Sequence, residues 1–382
     1  MSKMSDYDVV VVGAGVEGLA SAYHLVKAGQ RTLVLEQFPL PHTRGSSHGQ
    51  SRITRYGYSD DFYTNMMLDA FPMWGCLEKE AGVQIFKECG VLNLGNLDGD
   101  YMSSLLASIK RHNVDHTVLQ PADVRRDYPM FTYPDNYGGV MDKNGGILLA
   151  DRAVAAFQSV FKQYGGEIRD GEPVTAVTPG EPLVTVTTSK GSYRGKKVVL
   201  AAGPWASKLL RPLGLDLPLR PIRITVCYWK EKEEGSLSSE RLPCFIDEEA
   251  EGLNACAYGL PSDEYPGYVK VCVINGPDSD PDQRDTVDDT WLMQDLAAYV
   301  RRHLSCLHDN PGITEACMHT MTPDHNPVLD KHPQFNNIVI AAGFSGHGFK
   351  LAPAIGKAVS ELVLDKPPSY TMDPFVLTRF QK

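Results

Sequence analysis

The stretch YDVVVVGAGVEGLASAYHLVKAGQRTLVLE, Tyr7 to Glu36, decides the fold. Tyr7 to Val12 is a short β-branched run suited to a strand buried on both faces. Gly13-Ala14-Gly15-Val16-Glu17-Gly18 follows at once. Leu19, Ala22, Tyr23, Leu25 and Val26 then recur at helical spacing until Gly29, which reads as a C-terminal stop. Thr32 to Leu35 is a second buried strand, closed by Glu36. Strand, glycine turn, helix, strand and acid within about thirty residues form the dinucleotide-binding fingerprint. Gly13 allows the tight turn, Gly15 lets the backbone approach a pyrophosphate, and Gly18 lets helix and strand close up. The helix start offers free N–H groups and a positive dipole end to phosphate. Glu36 is placed to accept hydrogen bonds from ribose hydroxyls.

Outward from this unit, Pro39 to Arg55 is a polar, glycine-rich segment at the C-terminal end of the second strand, where ligands bind in such sheets. Asp60 to Glu80 reads as a helix with Phe62, Met66, Met67, Ala70, Phe71 and Trp74 on one face. A helix is expected near Met102 to Arg111, and another capped by Asp151. Residues 172–200 read as a β-meander whose last strand opens into Ala201-Ala202-Gly203-Pro204-Trp205. Ile338 to Gly343 ends in the same small residues, which permit close backbone approach by a cofactor. Residues 219–319 differ in texture, with strand-like runs at Ile224 to Trp229 and Tyr268 to Ile274, acidic loops, and a helix near Trp291 to Leu304. The expected class is α/β: a glutathione-reductase-like dinucleotide domain (Rossmann-type) with an inserted α+β substrate domain built on a mixed β-sheet. The first would comprise residues 1–84, 142–218 and 320–382, and the second residues 85–141 and 219–319.

Composition narrows the partners. Lys plus Arg total 37 and Asp plus Glu 47, a net charge of −10, which is a poor field for nucleic acid. No apolar run approaches the roughly 20 residues that span a bilayer. Met1 to Asp8 lacks the apolar core of a signal peptide, and the chain ends Arg379-Phe380-Gln381-Lys382 rather than in a Ser-Lys-Leu-type ending. The eight cysteines include no C-x-x-C pair, so neither a zinc ribbon nor a dithiol motif is indicated, and no metal is expected. The reading is an intracellular protein with reduced thiols.

The fingerprint, HTRGSSHGQSRITR (His42 to Arg55), Cys317-Met318 and AAGFSGHGFK (Ala341 to Lys350) together resemble the monomeric sarcosine oxidase family, and within it the animal peroxisomal sarcosine and L-pipecolate oxidases. The likeness runs from about residue 6 to 380. It implies FAD, a secondary amino-acid substrate, O2 as acceptor, H2O2 as product, a monomer and a peroxisomal (otherwise cytoplasmic) location. It implies that Cys317 carries the flavin as a thioether; by residue chemistry alone a lone cysteine is more often a small buried hydrophobe. Arg55 and Lys350 match the family's carboxylate-binding pair. Arg52 matches the arginine beside the flavin ring, His48 a nearby histidine, and Tyr258 an active-site tyrosine. Lys270 matches the lysine that promotes reaction with O2. Cofactor contacts are implied for Gly13, Gly15, Val16, Glu17, Gly18, Glu36, Gln37, Ser47, His48, Arg52, Val174, Gly203, Trp205, Met318 and Lys350. Gly343, Gly346 and Gly348 are spaced to turn N–H groups toward the flavin's carbonyl end, before a helix at about Leu351 to Leu364. His347 is either a hydrogen-bond partner or a packed loop histidine.

Two departures bear on the substrate. The family commonly has His where Ile274 stands and Tyr where His319 stands. One exchange adds apolar surface and the other a titratable group. Two alternatives therefore stand beside the main reading: an oxidase or dehydrogenase for a bulkier specialised amine, and a catalytically idle flavoprotein.

Overall fold

The computed structural model describes residues 6–380. Met1 to Ser5 and Gln381-Lys382, on which the leader and targeting readings partly rest, lie outside the described residues. Tyr7 to Val12 forms the centre of an eight-stranded sheet as Asp6–Val12, paired in parallel with Ser192–Leu200 on one side and Thr32–Leu35 on the other. Glu167–Arg169 and Ile338–Ala342 extend the parallel set outward. Ser192–Leu200 divides its outer edge: its first half pairs antiparallel with Val184–Thr188, and Val198 to Leu200 pair with Ile338–Ala342. Parallel strands share their polarity. The chain therefore leaves four of them at one edge, through Gly13, Glu36, Ala201 and Gly343.

One face of this sheet is covered by the helices Val16–Lys27, Asp61–Ala81, Ala150–Gln163 and Gly348–Val363, around Leu19, Leu25, Met67, Trp74, Phe157 and Ile355. The other face packs Val10, Leu33, Val184 and Val198 against Leu210 and Leu213. A second eight-stranded sheet runs in the order Ile313–Met321, Arg220–Lys230, Tyr268–Val273, Ala257–Tyr265, Cys244–Asp247, Val91–Asn96, Tyr137–Asp142, His116–Leu119. Only the Cys244–Asp247 and Val91–Asn96 pair is parallel. Strand alternation sorts its faces. Val269, Val271 and Val273 pack beneath the helix Thr290–His303, which sends Lys270 to the opposite face. A three-stranded sheet of Ser51–Thr54, Gly146–Leu149 and Phe86–Glu88 completes the set. The architecture is thus α/β with mixed sheets, as expected.

Two helix starts differ from expectation. The helix expected to be capped by Asp151 begins at Ala150, so Asp151 lies inside the first turn and makes no cap hydrogen bond. Its carboxylate is placed to complement the dipole end rather than an N–H group. The last helix begins at Gly348, not near Leu351: Phe349 in its first turn already packs into the core beside Trp74, which extends the helix one turn toward the loop.

Candidate active site

The C-terminal edge of the first sheet and the Lys270-bearing face of the second enclose one cavity of about 1360 Å³. An ordinary ligand pocket is roughly 300–1,000 Å³, so this one has room for more than a small substrate. At one end stands the glycine turn. Gly13 has φ +106°, and a Cβ there would lie 2.3 Å from the Ala201 carbonyl oxygen. A Cβ on Gly18 would lie 2.0 Å from the Gly13 carbonyl oxygen, so this glycine closes the helix onto the turn and does not line the cavity. Gly15 meets only Ser47 Oγ, at 3.2 Å, and otherwise faces open space. Glu36 accepts from the Ala14 N–H at 2.9 Å and the Phe38 N–H at 3.0 Å, which fixes the carboxylate at the turn. Glu17 is buried with neither carboxyl oxygen partnered, and burial raises its pKa well above the ordinary range. A carboxyl whose charged form is disfavoured by burial repels a diphosphate less than an ordinary one. A bare backbone cradle, an anchored acid and a desolvated Glu17 fit a dinucleotide.

Val16, Gln37, Ser47, Val174, Gly203 and Trp205 line the same cavity. The Trp205 indole N–H is already donated to Asp282 at 2.7 Å. The loop before Ser51 is gathered by Arg52, whose guanidinium donates to the carbonyls of Ser46 (3.0 Å), His48 (2.5 Å) and Ser51 (2.7 Å). His48 Nε2 meets the Ala316 carbonyl at 2.9 Å and so ties this loop to the strand of Cys317. Burial, then the Arg52 charge, lowers His48 to about 4. Cys317 is buried at the cavity wall, and its Sγ lies 3.9 Å from the Ser46 carbonyl oxygen.

Farther in, two cations converge on one ring. Arg55 Cζ lies 4.6 Å and Lys350 Nζ 5.4 Å from the Tyr58 centroid. Arg55 donates to Asn93 Oδ1 at 2.6 Å and Tyr101 OH at 3.0 Å. Among the described residues neither cation has a carboxylate within ion-pair distance. Burial, then the Arg55 charge, lowers Lys350 to about 7. Asp142 accepts from the N–H groups of Tyr56 (2.7 Å) and Gly57 (2.9 Å), which pins the backbone between Arg55 and Tyr58. Gly346 stands where His319 and Ile274 meet: a Cβ there would lie 3.5 Å from His319 Cε1 and 3.8 Å from Ile274 Cγ2. Burial, then Arg52 and Lys350, hold His319 near 4. His347 stacks on Tyr63, centroids 4.8 Å apart, with Nδ1 unpartnered.

Lys270 enters from the second sheet. It donates to Glu264 Oε2 and Ser51 Oγ, both at 3.2 Å, and more weakly to the Ser51 carbonyl at 3.4 Å. Glu264 also accepts from Tyr228 OH at 2.8 Å, the Gln50 N–H at 3.1 Å and the Ser51 hydroxyl. Burial alone would raise Glu264; the Lys270 charge and these donors outweigh it and hold the carboxyl below its ordinary range.

The FAD-dependent oxidoreductase (DAO) family model matches residues 8–362. The peroxisomal sarcosine oxidase of Mus musculus is 45% identical, over 100% of this chain and 98% of its own length. The monomeric sarcosine oxidase of Arthrobacter sp. is 33% identical, over 99% and 98%. The chain belongs to the sarcosine oxidase family of FAD-dependent oxidoreductases. Among solved structures, NikD, an unusual amino acid oxidase, superposes with a TM-score of 0.84 at 26% identity, covering 98% of each chain. L-proline dehydrogenase from P. horikoshii, at 22% identity and a TM-score of 0.83, shares the fold.

Membership fixes FAD as the dinucleotide for which the cradle is built. The sarcosine oxidase signature residues all reach one cavity except Gly18 and Met318. Met318 is fully buried: alternation along Ile313–Met321 turns Cys317, His319 and Met321 to the cavity and Met318 away. Gly348 is the first helical residue rather than part of the loop, and a Cβ there would lie 2.6 Å from Glu17 Oε1, so a glycine also makes room for Glu17. Gly343 and Gly346, with φ of +70° and +87°, keep the loop conformation. Tyr58, Asn93, Tyr101, Asp142 and Glu264 were not singled out from the sequence. A lone Asn in Val91-Leu92-Asn93-Leu94 was a usable signal, since a buried amide needs partners. Among the described residues no cluster of His, Cys, Asp and Glu is suited to a metal ion, and no helix is long and apolar enough to cross a membrane.

Proposed function

We propose that the protein is an oxidase of secondary amino acids of the sarcosine, L-pipecolate or L-proline type. The observation that carries this is the Arg55–Tyr58–Lys350 cluster: two basic side chains, one buried and one half-buried, without a carboxylate partner among the described residues, in a cavity continuous with the dinucleotide cradle. A substrate carboxylate supplies the missing anion. Bound FAD supplies the two-electron acceptor for oxidation of the carbon–nitrogen bond. The backbone of Gly13 to Glu17 would hold its diphosphate, Glu36 its ribose, and Arg52 with the Ser46–His48 loop its ring end. We assign Cys317 as the covalent attachment point, since its thiol lies buried at the cavity wall beside that loop.

The residues of the chain orient and desolvate the substrate. Arg55 and Lys350 fix the carboxylate, while Tyr258, Ile274 and His319 border the space left for the rest of it. The substrate nitrogen must be neutral to release hydride from its neighbouring carbon, and the product is an imine. Lys270 directs an N–H group where O2 gains electrons to become H2O2, and Glu264 and Ser51 hold that ammonium in place. Relatives named peroxisomal and monomeric sarcosine oxidases support a peroxisomal location and a monomer, and we assign both here. We also assign residues 85–141 and 219–319 to the substrate side and the remainder to the FAD side. Ile274 and His319 in place of the family's usual His and Tyr favour a second reading, a bulkier specialised amine.

The test is an anaerobic visible spectrum titrated with sarcosine, L-pipecolate, L-proline and bulkier N-methyl amino acids. Bleaching by one of the first three, with H2O2 formed on admitting air, is expected. Colour that stays with the acid-denatured chain would support Cys317 attachment. Bleaching only by a bulkier amine would move the function to the second reading, and bleaching without peroxide would make the protein a dehydrogenase.

A further inference from the structure

We propose that Lys350, besides pairing with the substrate carboxylate, takes the proton from the substrate's ammonium group, so that a zwitterion from solution is bound as a neutral amine. The inference rests on the proposed function and adds the proton acceptor that function lacks. Three observations converge on it. Lys350 Nζ has no hydrogen-bond acceptor among the described residues, whereas Lys270 has Glu264 and Ser51, and Arg55 has Asn93 and Tyr101. It shares the Tyr58 ring with Arg55, a cation that cannot give up its own proton. Its helix is anchored from behind, where the Trp74 indole donates to the Lys350 carbonyl at 3.0 Å, so the side chain is held in the cavity.

The groups around it leave it the suitable base. His347 at the N-terminal cap of the same helix, His319 from the second sheet and His48 from the loop are all held low by desolvation, His319 and His48 near 4 and His347 well below its ordinary value, too weak to compete for an ammonium proton. Tyr58 and Tyr101 have raised values and stay protonated, as does Cys256. Glu248, at the cavity rim, is exposed and acts at longer range. A half-buried ammonium in the cavity wall, beside a fixed cation and without an acceptor, gives up its proton more readily than an ordinary lysine. The lowering of Lys350 to about 7 agrees with this placement.

The step balances. Above about pH 7 the free site holds Arg55 charged and Lys350 mostly neutral; the substrate arrives with an ammonium and a carboxylate. One N–H bond of the ammonium breaks and one forms on Lys350 Nζ, with no electrons exchanged with an acceptor. The substrate nitrogen keeps its lone pair, and its carboxylate now faces two cations, which raises the Lys350 proton affinity as binding proceeds. The net charge of the complex does not change, so no proton has to find its way out of a buried site.

The probe is pyrrole-2-carboxylate, whose ring nitrogen has no basic lone pair, so a proton taken up on binding goes to the protein. Calorimetric titration of the holoenzyme in two buffers of different ionisation heat counts those protons. About one proton per ligand is expected near pH 8.5 and almost none near pH 6, with Kd weakening about tenfold per pH unit above the Lys350 value. Lys350→Arg, always charged, is expected to bind the ligand with no uptake at either pH. Binding without uptake near pH 8.5 in the unmodified protein overturns the proposal and leaves the oxidase reading intact. Uptake that persists in Lys350→Arg overturns it as well. No binding at either pH removes the carboxylate anchor, and the proposed function with it. If Lys350→Arg does not fold, the Kd of the unmodified protein decides: a flat profile above pH 7 overturns the proposal.

Discussion

Lys270 and Glu264 are both buried, with side-chain exposures of 5% and 4%, and they lie 3.2 Å apart. At this burial the pair behaves as a unit. Removing one partner leaves an uncompensated charge, which costs about 3–5 kcal/mol, whereas removing both is far milder. Lys270→Met is therefore expected to do two separable things: slow reoxidation of the reduced enzyme while sparing its reduction, and lower thermal stability. The pair Lys270→Met/Glu264→Gln should recover most of the stability and none of the reoxidation rate. Stopped-flow reoxidation under O2 and urea denaturation of both variants measure the two effects. Reoxidation that returns with stability would make Lys270 a structural lysine and remove it from the O2 chemistry.

At the scale of elements, the first and last helices bring the two ends of the chain to the cofactor cradle. They meet so closely that a Cβ on Gly356 would lie 2.5 Å from the Ala20 carbonyl carbon and 2.7 Å from its oxygen. Backbone cannot yield as a side-chain tip does. Gly356→Ala is expected to destabilise by about 1–3 kcal/mol despite the roughly 1 kcal/mol advantage of Ala in a helix, and to loosen FAD, since Gly15 to Glu17 ride on the displaced helix. Gly75, inside Asp61–Ala81 with nothing within 4 Å, is the control: Gly75→Ala should be neutral or stabilising by up to about 1 kcal/mol. Thermal unfolding of both, with flavin retention, tests this, and an unaffected Gly356→Ala would show that the helices can part freely. This contact also marks where reading the sequence stops. Tyr7 to Glu36 and Asp60 to Glu80 were legible because each announces itself by local period and punctuation. Lys270 was legible as a cation in a valine run, but Glu264 was not. It sits in Ser262-Asp263-Glu264-Tyr265, which reads as a solvated acidic turn, and only the hairpin and its shifted register bring it back across Lys270. Met318 is a cofactor contact only as the resemblance implies, and strand alternation places it on the other face. Tyr58 gained its meaning only when a residue three positions after Arg55 met another 292 positions on, at Lys350.

Across the whole molecule, the junctions around the cavity are lined by imidazoles that folding keeps neutral. His24, in the first helix, meets the Pro353 carbonyl of the last at 3.0 Å, and His48 joins the cofactor loop to the second sheet. Burial first lowers His24, His48 and His319 to about 4, and also lowers His347 well below its ordinary value. In the unfolded chain each returns to about 6.5. Between those values the unfolded chain binds more protons, so stability rises with pH across the window and is lost as pH falls from about 6.5 to 4. Asp247, raised to about 6, and Glu17, raised well above its ordinary value, have the opposite sign, because folding favours their protonated forms. The imidazoles of His24, His48 and His319 outweigh Asp247, and the folded protein should lose several kcal/mol between pH 7 and pH 4.5, each of these three imidazoles contributing about 2 kcal/mol. Urea denaturation at the two pH values measures the loss. His24→Gln, whose amide can still donate to the Pro353 carbonyl, should reduce that difference by about 2 kcal/mol and change little at pH 7. A difference unaltered by His24→Gln would mean that this imidazole is protonated in the folded protein. The acid sensitivity would then belong to the carboxylates held low by their partners, such as Glu264 beside Lys270, and would appear only below about pH 4.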